Sequence, residues 1–215
     1  DKYVHYNEGV SGEFFYEDIK RIHDLKVNNP EDFLYDTGYE DPMGNPIIKM
    51  QPTIAICDSV AMLMPEKFTE EEQLSGQMSA AAGARMNSSV FKRLIPLLKR
   101  ANIILFCINH INQKIEINPM MHTKGQLSYL KQGEELPGGR TVNYLSRILI
   151  RFDDDTKFKE NEGYGIIGNM VHLQLVKSNV AAAGKTADLV FNQDYGFLKT
   201  LSLFHFLKTA GRING

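Results

Sequence analysis

Asp58 stands at the end of a short apolar stretch, Thr53–Cys57, which has the length and composition of a buried β-strand. In open α/β sheets, ligands bind beyond the carboxyl ends of the strands. A carboxylate at that edge is suited to holding Mg²⁺ through water while the ion bridges nucleotide phosphates. Ser59 follows directly and would share the edge. Many strands end in an aspartate, so an ordinary strand end remains open on this pattern alone.

Two further strand ends carry polar side chains. Asn109 and His110 follow an apolar run that begins at residue 102, and Glu8 follows the strand-like residues 3–7. His110 could hydrogen-bond a terminal phosphate, and Glu8 could orient and deprotonate an attacking water. Each also has a plainer interpretation, as a cap of local backbone or as a loop carboxylate. Taken together, the three strand ends favour a nucleotide site.

The elements that would position these residues alternate along the chain. Turn-rich clusters, with Gly, Pro, Asn and Asp, fall at residues 28–46 and 153–165. The apolar periodicity predicts strands at 53–57, 102–111, 146–152, 170–176 and 187–191, and helices at 13–27, 78–100 and 201–211. Pro96 could kink or divide the second helix. The apolar run at 102–111 is typical of a parallel strand covered on both faces. The pattern predicts an α/β fold with a mostly parallel central sheet and an antiparallel extension.

One helix is basic although the chain as a whole has a formal net charge of −2. Between residues 85 and 100 there is no acid, and the bases are Arg85, Lys92, Arg93, Lys99 and Arg100. Such a face could bind nucleic acid through phosphates. It could equally be a solvated helix face.

The order of these segments resembles that of the RecA family of DNA recombinases. The resemblance is carried by ICDSVAML, GARMNSSVFKRLIPLLKRANIILFCINHINQKI, PGGRTVNYLSRILIRF and VHLQLVKSNVAAAGKTADLVF. It covers roughly residues 3–210 and is specific from Thr53 to Phe191. It implies a RecA-like P-loop ATPase core over residues 1–200, with a C-terminal segment beginning at 201–215. The triplet INH, where bacterial members have INQ, resembles phage recombinases and implies a phage or prophage source.

The resemblance implies ATP and Mg²⁺ as cofactors. It assigns Glu8 as the catalytic carboxylate, Asp58 as the metal-holding aspartate and His110 as the sensor of the terminal phosphate. Lys177 falls where the family has a lysine that reaches the ATP of the adjacent subunit. The family usually has a second base two residues later, where this chain has Asn179.

The resemblance also implies single- and double-stranded DNA as partners and a helical filament of identical subunits. Residues 66–78 and 112–144 match the two DNA-binding loops, whose mobility suits them to order on a strand. The implied DNA-contacting residues are Arg85, Ser88, Lys92, Lys114, Lys124, Gly138, Gly139 and Arg140. Tyr144 matches an aromatic residue that contacts the neighbouring subunit.

The family's phosphate-binding loop, G-x-x-x-x-G-K-[ST], does not occur in these 215 residues. By the resemblance it would lie before Glu8, so we expect the chain alone to be inactive. Gly184-Lys185-Thr186 imitates its end, but Asn179 occupies the position of the first glycine. A true phosphate loop follows a strand and opens a helix, whereas this triplet falls between two predicted strands. We therefore expect a turn.

The remaining composition fits a cytoplasmic protein without a membrane span. No apolar run approaches the roughly 18 residues that a span requires, and the first residues lack a signal-peptide pattern. Cys57 and Cys107 lie inside apolar runs, which favours small core residues over a disulfide.

Three functions remain in contention. The first is an ATP-dependent recombinase that forms filaments on single-stranded DNA and promotes homologous pairing and strand exchange. The second is a non-catalytic RecA-like paralogue that binds DNA or filaments, which Asn179 favours. The third is a hexameric helicase of the same fold, which fits less well because the PGGRTVNY element is recombinase-like.

Overall fold

The computed structural model describes residues 10–69, 76–113, 127–159 and 166–213. The chain divides into two compact units, Asp1–Leu145 and Ser146–Gly215. The predicted strand at residues 3–7 lies outside the described residues, as do Glu8, Lys114 and Lys124.

The first unit contains four α-helices and six strands among its described residues. The helices are α1 (Gly12–Asn28), α2 (Glu66–Thr69), α3 (Gly76–Arg100) and α4 (Thr141–Leu145). The strands are β1 (Leu34–Glu40), β2 (Pro46–Met50), β3 (Thr53–Asp58), β4 (Ile103–Ile108), β5 (Asn112–Gln113) and β6 (Glu134–Glu135).

Helices α1 and α3 pack against each other in this unit and contribute to its buried core. Ser11 caps α1, because its side-chain oxygen accepts a hydrogen bond from the Phe14 N–H across 3.1 Å. Helix α3 runs unbroken through Pro96. The two helices bury apolar side chains between themselves and the sheet, and burying each such side chain fully contributes about 1.5–3 kcal/mol. The buried core consists of Ile19, Cys57, Val60, Leu63, Met86, Val90, Phe91, Leu94, Ala101 and Ile103.

Strands β3 and β4 pair in parallel, and Asp58 is in register with Ile108. Alternate residues of each strand face the helices, while the others face away. The outward face is exposed and apolar, with Ile56 65% and Phe106 54% exposed. The prediction that the strand at 102–111 is covered on both faces is therefore wrong for the chain in this structure, because one face of β4 is exposed.

Residues 34–50 form an antiparallel hairpin of β1 and β2, whereas the sequence predicted turn clusters over residues 28–46. Asp36 and Gly38, which are typical turn residues, lie inside strand β1. Gly38 has φ +73°, and Asp36 Oδ1 accepts from the Gly38 N–H across 2.9 Å. The register shifts between Asp36 and Glu40, so turn chemistry produces an irregularity in the strand rather than its end.

Among its described residues, the second unit contains an antiparallel sheet and one α-helix. Its strands are β7 (Ile148–Lys159), β8 (Ile166–Ser178), β9 (Thr186–Asn192) and β10 (Gly196–Phe197), and its helix is α5 (Lys199–Thr209). The sheet order is β10-β9-β8-β7. The predicted turn at 153–165 is wrong over its first half, because β7 continues to Lys159 by pairing with β8.

The α/β class agrees with the prediction. Among the described residues the parallel part amounts to β3 and β4, and β7–β10 form a separate antiparallel sheet. Cys57 and Cys107 are unbonded thiols, and Cys57 is buried, in line with the expected core role. Within the described ranges, no helix has both the length and the apolar character needed to cross a bilayer.

Candidate functional site

The carboxyl ends of β3 and β4 bring four predicted site residues to one edge. Asp58 ends β3, and Ser59 follows it after a cis peptide bond. Asn109 and His110 come directly after β4. Because the two strands are parallel and in register, these two pairs of residues leave the sheet side by side. Asp58 and His110 are exposed, whereas Ser59 is buried.

This edge has the donor chemistry that a hydrated Mg²⁺ requires. The described residues contain no cluster of three or more His, Cys, Asp or Glu side chains that could enclose an ion. Mg²⁺ commonly keeps several waters and takes only one or two carboxylates together with substrate phosphates. An exposed Asp58 beside the buried Ser59 hydroxyl, which has no hydrogen-bond partner within the described ranges, fits that mode of binding.

Burial disfavours ionisation of the two thiols in β3 and β4. Burial, with the charge of Asp58 as the smaller cause, raises the pKa of Cys57 to about 11. Burial, with Cys57 as the smaller cause, raises the pKa of Cys107 to about 12. Because the thiolate is the nucleophile and the metal ligand, both groups act as small apolar side chains near neutral pH.

Two side-chain amides tie this edge to the backbone at residues 137 and 138. Asn109 Nδ2 donates to the Pro137 carbonyl oxygen across 3.0 Å. Asn87, on α3, donates from Nδ2 to the Gly138 carbonyl oxygen across 3.0 Å and more weakly to the Val60 carbonyl oxygen across 3.4 Å. Asn109 and Asn87 therefore bind consecutive carbonyl oxygens of the segment before Arg140, and Asn87 also links that segment to the turn after Asp58.

The glycine pair allows this close approach. Gly138 and Gly139 have φ +80° and +84°, a region that favours glycine. A Cβ on Gly139 would lie 3.1 Å from the Cβ of Ala84. A Cβ on Gly138 would lie 3.0 Å from Asn87 Nδ2. Larger residues at either position would push this backbone off α3.

The same contact brings predicted DNA-binding residues together. Arg85 follows Ala84 and Arg140 follows Gly139, so two exposed guanidinium groups flank one backbone contact. Ser88 and Lys92 lie three and seven residues after Arg85, on the same side of α3. Arg93 is committed elsewhere, because its guanidinium stacks 4.3 Å from the centroid of the Tyr16 ring.

The second predicted loop has an ordered base. Strands β5 and β6 pair antiparallel, with Gln113 in register with Glu134. Residues 114–126, which include Lys114 and Lys124, are outside the described ranges, as are residues 70–75 of the first loop. Tyr144 lies in α4 and is largely exposed.

The second unit carries Lys177 and the imitation phosphate loop. Lys177 lies in β8, in register with Leu149 of β7. Gly184 has φ +87°, and its N–H donates to the Leu175 carbonyl oxygen in the turn between β8 and β9. The triplet Gly184–Thr186 opens a strand, not a helix, so the expected turn is confirmed.

Sequence reasoning missed Asn87, which has no exposed surface. A signal was present, because Asn87 lies three residues before Val90 and four before Phe91, on the apolar stripe of α3. A buried amide on such a stripe needs partners. Its partners, Val60 and Gly138, come from distant parts of the chain, so no local pattern identifies them.

The chain matches the family model for the RecA N-terminal domain over residues 47–197. Among curated proteins, it is 29% identical over 150 residues to Protein RecA of Lactiplantibacillus plantarum, covering 68% of this chain and 35% of that protein. It is 29% identical over 147 residues to Protein RecA of Clostridium perfringens, covering 65% and 36%. It is 29% identical over 140 residues to Protein RecA of Acholeplasma laidlawii, covering 62% and 36%. The chain thus spans about a third of the length of these relatives.

Proposed function

Because the chain belongs to the RecA family, we propose that the protein containing it is an ATP-dependent DNA recombinase. It would form filaments on single-stranded DNA, pair that strand with homologous duplex and exchange strands. The observation that carries the proposal is the pair of amide ties at Pro137 and Gly138. They connect a strand edge suited to Mg-nucleotide with a basic surface suited to DNA.

The nucleotide half of the proposal rests on four residues at that edge. Bound Mg²⁺ would supply charge neutralisation for the phosphates of ATP. Asp58 and Ser59 would hold its water shell, while Asn109 and His110 would contact the terminal phosphate. Glu8 would accept a proton from the attacking water, a role that rests on the family resemblance alone.

The DNA half of the proposal rests on the surface around the Gly138–Gly139 pair. Arg85, Lys92 and Arg140 are exposed, so their charges are available to phosphates without the cost of desolvating a buried cation. Ser88, Lys114, Lys124 and the two glycines remain proposed DNA contacts by resemblance. Backbone N–H groups in left-handed conformations, as at the glycine pair, also suit anion binding.

The proposal also includes a filament of identical subunits. Lys177 would reach the ATP of a neighbouring subunit, and Tyr144 would pack against that subunit. We further propose that residues 1–200 belong to a P-loop ATPase core whose central sheet is mostly parallel, with a C-terminal segment from 201. A cytoplasmic location and a phage source complete the proposal.

Strand exchange by the full-length protein tests the proposal. Circular single-stranded DNA and homologous linear duplex, incubated with protein, Mg²⁺ and ATP, should yield joint molecules, whereas heterologous duplex should yield none. A forked duplex without homology should not be unwound. Unwinding of the fork without joint molecules would instead identify the helicase, and the absence of both would remove the recombinase proposal.

Asn179 favours a second candidate, a RecA-like paralogue that binds DNA without turning over ATP. The residue is exposed, and its N–H donates to the Arg147 carbonyl oxygen across 3.0 Å. Its side chain supplies no charge across a subunit interface. Under the recombinase proposal, wild-type protein turns over ATP on single-stranded DNA and Asn179→Lys turns it over faster. Under the paralogue proposal, neither protein does.

A further inference from the structure

The side-chain amide of Asn87 is fully buried, and burying an amide costs free energy unless it forms hydrogen bonds. The side chain has no exposed surface, and Oδ1 is buried without a hydrogen-bond partner among the described residues. An apolar residue of the same shape would avoid that unpaired acceptor. The neighbouring residues on the same stripe, Met86 and Val90, are apolar. The amide at this position therefore serves the two carbonyls that it contacts.

The orientation of the amide follows from those contacts. Both neighbours of Nδ2 are carbonyl oxygens, which only accept hydrogen bonds, so the NH₂ group must face them. The bond to Gly138 is of ordinary length at 3.0 Å, whereas the one to Val60 is long at 3.4 Å. Val60 O also accepts from the Leu63 N–H across 3.3 Å. The tie to Gly138 is thus the stronger of the two, and the tie to Val60 is the one that can lengthen.

We infer that Asn87 is a positioning residue that couples the nucleotide edge to the DNA surface. Its two bonds make the position of Val60, two residues after Asp58, depend on the position of Gly138, two residues before Arg140. Asn109 holds Pro137 in parallel. A ligand that favours one backbone arrangement at either end then favours the same arrangement at the other end. The inference rests on the proposed function, because it presumes nucleotide at Asp58 and DNA at Arg140.

Coupling of this kind is a ratio of affinities and is reciprocal. In the full-length protein, a non-hydrolysable ATP analogue with Mg²⁺ should tighten binding of single-stranded oligonucleotide by some factor, and oligonucleotide should tighten analogue binding by the same factor. Such factors typically lie between about 5 and 150. Both are measured as dissociation constants with and without the other ligand.

Asn87→Leu keeps the branched shape of the side chain, with larger methyl groups in place of the amide, and removes both donors. We expect the coupling factor to fall toward one, a loss of roughly tenfold, while the analogue affinity without DNA stays near its wild-type value. The melting temperature should fall as well, because the Gly138 carbonyl oxygen loses its donor. Asn87→Gln keeps the amide and should restore part of the factor. Asn28→Leu makes the same change at an exposed helical position and should leave the factor unchanged. If Asn87→Leu does not fold, Asn87→Ser, which is too short to span to Gly138, takes its place.

The outcomes separate the inference from the proposed function. A wild-type coupling factor in Asn87→Leu would overturn the inference. So would weaker binding of both ligands with an unchanged factor, because that result marks a purely structural role. If the wild-type protein bound neither analogue nor oligonucleotide, the proposed function itself would fail.

Discussion

The side-chain amide of Asn109 donates a hydrogen bond to the carbonyl oxygen of Pro137 across 3.0 Å. Asn109 follows the parallel strand β4, and Pro137 precedes the glycine pair. One residue further along, Asn87 holds Gly138 in the same way. Two elements distant in sequence therefore fix successive carbonyls of one short segment, which places the predicted nucleotide edge and the predicted DNA surface in direct contact.

Gly139→Ala should destabilise the chain through two separable effects. The left-handed φ of +84° costs an L-residue about 1–2 kcal/mol, and the new Cβ would lie 3.1 Å from the Ala84 Cβ. Overpacking of this kind adds about 1–3 kcal/mol. Denaturant unfolding of each variant measures the sum.

Gly44→Ala is the matched control for that substitution. Gly44 has nearly the same φ, +83°, and a Cβ there would meet nothing within 4 Å. Gly44→Ala should therefore show only the backbone cost. Equal losses of unfolding free energy in the two variants would contradict the close packing of the glycine pair against α3.

Arg85→Ala and Arg140→Ala should weaken DNA binding through lost phosphate contacts. The binding constant for single-stranded nucleic acid falls as salt concentration rises. Each phosphate contact makes the slope of log K against log salt concentration steeper by about 0.7. We expect the slope to be shallower by about this amount in each variant of the full-length protein. Arg100→Ala, an exposed cation at the far end of the same helix, should leave the slope unchanged. Unchanged slopes in Arg85→Ala and Arg140→Ala would show that DNA binds elsewhere.

The stability of the chain should fall above pH 9, in part through Cys57. Its pKa rises from an ordinary value of 9.0 to about 11 in the folded chain. The unfolded chain therefore loses the thiol proton first, so the contribution is complete below pH 9 and is lost as the pH rises through 11. A shift of two units corresponds to about 3 kcal/mol. Unfolding free energies of wild type and Cys57→Ala should converge by up to that amount between pH 8 and 11, and parallel curves would refute the assignment.

The 215-residue chain alone should bind Mg-ATP poorly. It contains no G-x-x-x-x-G-K-[ST] sequence, and Gly184–Thr186 lies in a turn that opens a strand. Phosphates would lack the cradle of backbone N–H groups at a helix start that such a sequence provides. Isothermal titration should detect no binding in the micromolar range. Micromolar affinity would contradict this prediction and would mean that the chain holds a different phosphate site.

The elements that position the site could be predicted from sequence because their signals are local. The apolar runs of β3 and β4 and the periodicity of α1 and α3 reflect the surfaces that these elements bury. The adjacency of Asp58 and Asn109 also followed, because neighbouring parallel strands end at one edge of a sheet.

The remaining features depend on partners far away in sequence. The hairpin β1–β2 escaped prediction because Asp36 and Gly38, ordinary turn residues, form an irregularity inside a paired strand. The acidic start of the 153–165 segment became strand because β8 supplies hydrogen-bond partners. The hydrogen bonds to the Pro137 and Gly138 carbonyl oxygens join residues far apart in sequence, so no local pattern predicts them. Site roles that came from the family resemblance stay predictions.

ATP hydrolysis by the full-length protein, with and without single-stranded DNA, tests the central claim most directly. Wild-type protein should hydrolyse ATP faster when DNA is present. Asp58→Asn should reduce the stimulated rate by about a hundredfold or more, because the metal-holding charge is lost. Asp194→Asn, at an exposed turn, should retain the wild-type rate. The account is contradicted if DNA has no effect on the wild-type rate, or if Asp58→Asn hydrolyses ATP as fast as wild type.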